Sequence, residues 1–388
     1  MNDDLETASA LALNRIFGYK PKISRLLIEN FGSAYAVFKA PDKEIAAIFG
    51  RFEGMGGEIS ASALEAAAAE LEWLRRNGCD FLPITYGAYP SLLKECDDAP
   101  AGLYIRSTTP VSELFPDGPY ISVVGTRDIS LYGKEWCTRI VNSLSRAPSR
   151  PAIVSGFALG VDITAHLAAL DSGLPTIAVI PVGIDDIYPS RHRRIADRLA
   201  ATPGCAIISD YPPGTGAQAF NFLRRNRIIA GMSQSTILIE SKIHGGGMMT
   251  SSLAASYGRD VFALPGRIDD ERSMGCNKLI ADKVAEPIAD PGLLQETLGL
   301  GRFRRTRKKD LKEEVVRTFS GRLDDEALNS LAELALFIKK NRGVTTDGIC
   351  RETGMGYSDA AYFTGLLESE GIISIDVLQR CSINAKID

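Results

Sequence analysis

From Tyr120 onward the chain alternates short, continuously apolar runs with longer amphipathic ones. The apolar runs are Tyr120–Val124, Ala152–Val154, Thr176–Ile180, Ala206–Ile208, Thr236–Ile239 and Val261–Leu264. Between them lie Gly133–Leu144, Ile163–Leu170, Arg191–Leu199, Phe222–Ala230 and Met249–Tyr257, with apolar residues at helical spacing. Strands that are apolar on both faces must be covered on both faces, and parallel neighbours need a crossover long enough for a helix. The pattern therefore predicts an α/β fold, a Rossmann-like doubly wound parallel sheet over residues 111–300.

The flanks read differently. Residues 1–110 carry helical patterns, among them Ile23–Phe31, stopped by Gly32, and the Ala-, Leu- and Glu-rich Ala61–Arg76, closed by Asn77-Gly78. Short helices joined by Gly-containing turns suggest a helical N-terminal domain of helix-hairpin-helix or SAM-like type. At the other end, residues 323–388 read as helices Ala327–Lys340, Thr346–Thr353 and Ser358–Ser369, then a hairpin of Gly371–Ile375 and Val377–Ser382. That order predicts a winged-helix domain. Residues 301–322, with the run RFRRTRKKDLK from Arg302, lack apolar periodicity and are read as a basic linker.

Composition narrows the classes of function. The 388 residues are 45% hydrophobic and 24% charged, an ordinary globular balance. The acidic start Met1-Asn2-Asp3-Asp4 is unlike a signal peptide, and the most apolar stretches are too short to span a bilayer, so a soluble protein is expected. The 7 cysteines are scattered, without a CxxC pair, which points to reduced, buried thiols in the cytoplasm and to neither a disulfide framework nor a metal site. The net charge of -4 means that any nucleic acid must be met by locally gathered cations, such as Arg224-Arg225-Asn226-Arg227.

In an open parallel sheet, ligands bind beyond the carboxyl ends of the strands. Those ends carry Gly125-Thr126-Arg127, then Ser155 and Gly156 through Gly160, and later Lys242, Gly245, Gly246 and Thr250. Glycines at strand-to-helix turns free N–H groups at helix starts, which with the helix dipole favour an anion. Arg127 adds a charge-assisted contact, so these turns together predict a phosphate-binding pocket. In the segment Asn221, Phe222, Leu223, Arg224, Arg225, Asn226, Arg227, cations stand beside aromatics, a combination suited to single-stranded nucleic acid. Of Phe220 and Phe222, one is expected in the core and one in the site.

Familiar catalytic signatures are missing. There is no GxxxxGK[ST], GxGxxG or GxSxG, and no cofactor is implied. The 3 histidines do not assemble a nucleophile–base set; Asp162 and His166, four apart on one helical face, are expected to share a structural hydrogen bond.

Taken in order, Val124–Arg127, Ser155–His166 (SGFALGVDITAH), Phe222–Gly231 (FLRRNRIIAG), Val261–Gly266 (VFALPG) and Gly275-x-Asn277-x-Leu279-Ile280 resemble the bacterial DNA-processing protein A (DprA/Smf) family. The approach segment from Tyr89-Pro90 through Asp98-Ala99-Pro100 to Leu103–Arg106 is similar as well. The resemblance covers about residues 89–279. It implies a non-enzymatic protein of natural transformation that binds incoming single-stranded DNA, dimerises through the sheet domain and loads the recombinase RecA. It further implies that Arg127 grips a phosphate, that Arg224, Arg225 and Arg227 line the pocket, and that Phe222 stacks on a base. The turn at Gly245-Gly246-Gly247 departs from the Ser-Gly-Ser often found in the family, as do Leu159 and Cys276, where polar residues are common.

Two other functions share parts of this pattern. Phosphoribohydrolases that resemble the cytokinin-activating (LOG) enzymes carry PGGxGTxxE, whose glutamate does the chemistry; here the residue three after Thr250 is Leu253. A winged-helix transcriptional regulator is disfavoured because Gly354–Gly371 has no Lys or Arg and carries Asp359, Glu368 and Glu370.

Overall fold

The computed structural model describes residues 3–49, 58–301, 311–376 and 378–384. It divides into two compact units, Met1–Phe303 and Arg304–Asp388.

The apolar runs become strands almost as read: β3 (Tyr120–Val124), β4 (Ala152–Ser155), β5 (Thr176–Val179), β6 (Ala206–Ser209), β7 (Ser235–Leu238) and β8 (Asp260–Ala263). Three further strands join them: β1 (Cys79–Pro83), β2 (Gly102–Arg106) and β9 (Glu286–Pro287). The nine strands form one sheet in the order β1-β2-β6-β5-β4-β3-β7-β8-β9. From β6 to β9 every neighbouring pair is parallel. Chain order reverses between β3 and β7, where successive strands leave toward opposite edges. One apolar cluster on the sheet holds Ile121, Val123, Ile140 and Leu144. The other combines Ile177, Ile207 and Ile228 with Leu11, Leu27 and Leu74 of the N-terminal helices.

That second cluster corrects the boundary expected at residue 110. Strand β1 pairs antiparallel with β2, and β2 pairs antiparallel with β6, so the segment read as a separate helical domain supplies one edge of the sheet. Its helices, Asp3–Phe17, Pro21–Phe31, Ala34–Lys39, Asp42–Phe49 and Ala61–Arg76, belong to the same unit. Buried Glu6 joins them to the sheet region: it accepts from the N–H groups of Ala34 and Tyr35, at 2.9 and 2.8 Å, and from the Thr85 hydroxyl at 2.9 Å. Strands β1 and β2 are broken or closed by Asp80, Pro83 and Arg106, so neither gives the continuous apolar run that marks the parallel strands.

The second unit contains helices Leu311–Phe319, Asp325–Lys340, Thr346–Thr353 and Tyr357–Ser369. Three short strands, β10 (Val344–Thr345), β11 (Ile373–Ile375) and β12 (Arg380–Ile383), pair antiparallel in the order β10-β12-β11. The basic-linker reading of 301–322 needs correction at its end. Leu311, Val315 and Phe319 are buried in this unit's own core, at helical spacing, whereas residues 302–310 lie outside the described residues. Val377, placed in the expected hairpin, also lies outside them.

Candidate nucleic-acid interface

The strand ends around the reversal point are tightly packed turns. A Cβ on Gly125 would lie 2.6 Å from Val161 Cγ2 and 2.7 Å from the Glu240 carbonyl oxygen. Gly160 holds φ +77°, and a Cβ there would strike the carbonyl of Thr126. Several N–H groups expected to cradle phosphate are engaged internally: Thr126 donates to Glu240 O at 2.7 Å, Val161 to Thr126 O at 3.1 Å and Gly245 to Lys242 O at 3.0 Å. The expected phosphate cradle at these turns is thereby corrected. Gly125 and Gly160 serve close backbone approach: Gly125 fits against Val161 and the Glu240 carbonyl, and Gly160 against the backbone of Thr126 and Arg127. Gly246 differs: it is exposed, a Cβ there would meet nothing within 4 Å, and no side chain caps the Gly246–Ser256 helix. Buried Thr250 turns its hydroxyl to Gly246 O, at 3.3 Å, and away from that opening.

Arg127 stands free of this packing. It is exposed in the turn after β3, and its guanidinium lies 4.9 Å from the centroid of the Phe222 ring. Phe222 is half-buried near the start of the Ala219–Met232 helix and meets Tyr188 edge-on, with centroids 5.1 Å apart. Cation, ring and second ring thus form one open face beside the reversal point. Tyr188 was not singled out in the sequence; its position in a loop beyond a strand end was the available signal.

The arginines of Phe222–Gly231 divide into different roles. Arg225 is buried and donates to the carbonyls of Gly156 and Val179, tying the ends of β4 and β5 together. Gly156 makes room for it: a Cβ would lie 2.5 Å from Arg225 Nη2 and 2.6 Å from Asp162 Oδ2. Burial pulls the Arg225 guanidinium down to about 10, opposed by Asp162. Arg227 is buried as well, paired with Asp210 at 2.5 Å and donating to the carbonyl of Asp98. The expectation that Arg225 and Arg227 line the pocket is therefore corrected, since both are buried and their terminal guanidinium nitrogens donate to the protein's own acceptors.

Arg224 faces another way. It donates to the carbonyl of Gly18 and lies over the Tyr19 ring at 4.6 Å and the Phe220 ring at 5.9 Å. Asn221 is fully buried under this group, with the Tyr19 hydroxyl 3.4 Å from its Oδ1, and buried Asn226 accepts from Arg225 Nε at 3.3 Å. Neither Phe220 nor Phe222 is a core residue, which corrects the division expected between them; Phe220 is 58% exposed.

Farther along the strand ends, Lys242 is exposed and paired with Glu271 at 2.7 Å. Arg272 with Asp128 and Arg267 with Asp269 form similar pairs, at 2.9 and 2.7 Å, so this flank neutralises itself. Buried Glu240 accepts from Ser130 N at 2.9 Å and Ser130 Oγ at 2.5 Å at the start of the Leu131–Leu144 helix. Ser155 is buried and donates to Val123 O at 2.6 Å. The Asp162–His166 hydrogen bond is replaced by separate partnerships. Asp162 Oδ2 accepts from Ala158 N at 3.3 Å, and His166 Nδ1 is 2.7 Å from the Thr176 hydroxyl. Burial holds His166 down to about 3. No group of three or more His, Cys, Asp or Glu side chains among the described residues is placed to hold a metal ion.

Residues 80–298 match the DNA recombination-mediator protein A family. The chain is 38% identical over 194 residues to DNA processing protein DprA of Streptococcus pneumoniae, a match covering 50% of this chain and 66% of that protein. It is 31% identical over 312 residues to protein Smf of Synechocystis, covering 76% of each. The X-ray structure of DNA processing protein A from Streptococcus pneumoniae aligns with a TM-score of 0.58 at 29% identity, over 78% of this chain and 97% of that one. The family match begins in β1 and runs past β9, taking in the turn of Arg127 and the helix of Phe222, and the chain belongs to the DNA recombination-mediator protein A family.

Proposed function

We propose that this protein binds single-stranded DNA at the Arg127–Phe222 face and does not turn it over. The observation that carries the reading is an exposed guanidinium stacked on an aromatic ring at the point where the sheet's strand order reverses. A single strand offers a phosphate and an unstacked base side by side, which a cation and a ring about 5 Å apart can take together; a duplex keeps its bases stacked inside. Leu253, where a LOG-like enzyme has its glutamate, favours binding over hydrolysis.

Membership of a recombination-mediator family supports a place in natural transformation, with this chain protecting incoming DNA in the cytoplasm and loading RecA. No helix among the described residues is long and apolar enough to cross a membrane. The second unit is read as a winged helix. Its Tyr357–Ser369 helix has no Lys or Arg, which favours a protein-contact role over groove reading. A homodimer through the sheet unit is supported by exposed apolar side chains on two touching loops. Ser241 N donates to Arg272 O at 2.6 Å and Gly275 N to Ser241 O at 2.8 Å, and around these bonds Ile243, Ile268 and Met274 face solvent.

The test is a fluorescence-anisotropy titration of labelled oligo-dT against a duplex of equal length, with Arg127→Ala alongside wild type at two salt concentrations. A salt-sensitive preference for the single strand, weakened in the variant, is expected. Equal binding of duplex and single strand would overturn the reading.

A further inference from the structure

We propose that Tyr19, Phe220 and Arg224 form a second base-stacking subsite, on the far side of the helix start from the Arg127–Phe222 face. The inference rests on the single-stranded-DNA reading and extends it to residues of the N-terminal helical segment. Tyr19 lies in the turn between the Asp3–Phe17 and Pro21–Phe31 helices. Its ring and that of Phe220 are 6.2 Å apart, centroid to centroid, and inclined by only 25°. Arg224 lies over both and is held by the carbonyl of Gly18, while its Nη1 has no hydrogen-bond partner among the described residues.

Simple docking of the N-terminal helices onto the sheet would bury such rings. Here Tyr19 is 56% exposed and Phe220 58%, although Tyr19 is pinned from below by Asn221 and by the Tyr211 ring at 6.3 Å. The arrangement is a rigid, solvent-facing pair of rings backed by a guanidinium, the combination that holds unstacked bases in single-strand grooves. Phe220 and Phe222 are two residues apart, about 200° around the helix, so they project to opposite sides of its first turn. A strand leaving Phe222 needs to cross only the uncapped start of this helix, a width of about 10–12 Å, to reach Phe220.

The test uses the full-length chain and a dT oligomer of about 16 nucleotides. Anisotropy is measured for wild type, Tyr19→Ala, Phe220→Ala, Tyr19→Phe and Arg127→Ala, and thermal melts confirm that each variant is folded. The two alanine variants are expected to bind about tenfold more weakly, and Tyr19→Phe, which keeps the ring, to bind as wild type does. Photocrosslinking with 5-iodouracil at saturating protein should give adducts on Tyr19 or Phe220, and these should persist in Arg127→Ala. Normal binding by both alanine variants, with wild type still preferring single strands, overturns the subsite and leaves the proposed function standing. A loss in Tyr19→Phe equal to that in Tyr19→Ala overturns it too, because the hydroxyl bond to Asn221 would then be what matters. If wild type shows no preference for single strands, the proposed function itself falls, and the subsite with it.

Discussion

The guanidinium of Arg127 rests 4.9 Å from the centroid of the Phe222 ring, joining the turn after β3 to the first turn of the Ala219–Met232 helix. Each partner limits the other's freedom before any ligand arrives, which lowers the ordering cost of binding. Arg127→Ala and Phe222→Ala are each expected to weaken oligo-dT binding about ten- to a hundredfold. In a double-mutant cycle the losses should be less than additive, because removing the ring also releases the cation. Arg127→Ala should make the salt slope shallower by about 0.7 and leave the melting temperature unchanged, since the residue is exposed.

Arg225 and Arg227 should behave in the opposite way. Both are buried, and each is joined to acceptors from distant parts of the chain. Removing Arg227 strands the Asp210 carboxylate, so Arg227→Ala should cost about 3–5 kcal/mol in urea unfolding. Arg225→Ala should fall in a similar range, because two carbonyls and Asp162 lose their partner. A variant of either that unfolds at the wild-type urea midpoint but fails to bind DNA would show that these arginines act on the ligand directly.

His166 makes stability depend on pH. Burial lowers its folded value to about 3, with the Arg225 cation and His192 acting in the same sense, against about 6.5 in the unfolded chain. The unfolded state therefore takes up the proton first. The stability contribution is complete above about pH 6.5 and is lost progressively as pH falls toward 3. Between neutral pH and pH 5 the loss from this residue should be about 2 kcal/mol. His166→Asn should be less stable at pH 7, yet its stability should vary less from pH 6.5 to 5 in denaturant titrations. An unchanged pH profile would sink the assignment.

Ile268 is 89% exposed in the loop between β8 and the Met274–Ala281 helix. An isologous contact places the same patch on both copies, so one charge per chain puts like charges together. Ile268→Glu should shift sedimentation toward the monomer and slow the apparent on-rate for long oligomers only modestly. A wild-type sedimentation profile in the variant would place any dimer contact elsewhere.

The alternation of apolar and amphipathic runs was enough to locate β3 through β8 within about a residue, because strands buried on both faces must be apolar throughout. It also brought out the turn of Arg127 and the helix of Phe222. A helical-wheel reading could have gone further with the arginines. Arg225 stands three and four residues before Ile228 and Ile229, in line with Asn221 and Met232, on the stripe that the structure buries.

What the local pattern could not carry is the identity of partners far away along the chain. Arg225 is internal because Gly156 leaves it space and Val179 offers a carbonyl, and Arg227 because Asp210 and Asp98 meet it. Tyr19 faces Phe220 only because β1 and β2 pair into the sheet edge and bring the N-terminal helices with them. Secondary structure follows from the spacing of side chains along a few turns or strands, so the amino-acid sequence alone determined the elements and the residues at their ends. Which of those residues face solvent depends on contacts between segments distant in the chain, and that was decided only when the sheet and its helices closed around them.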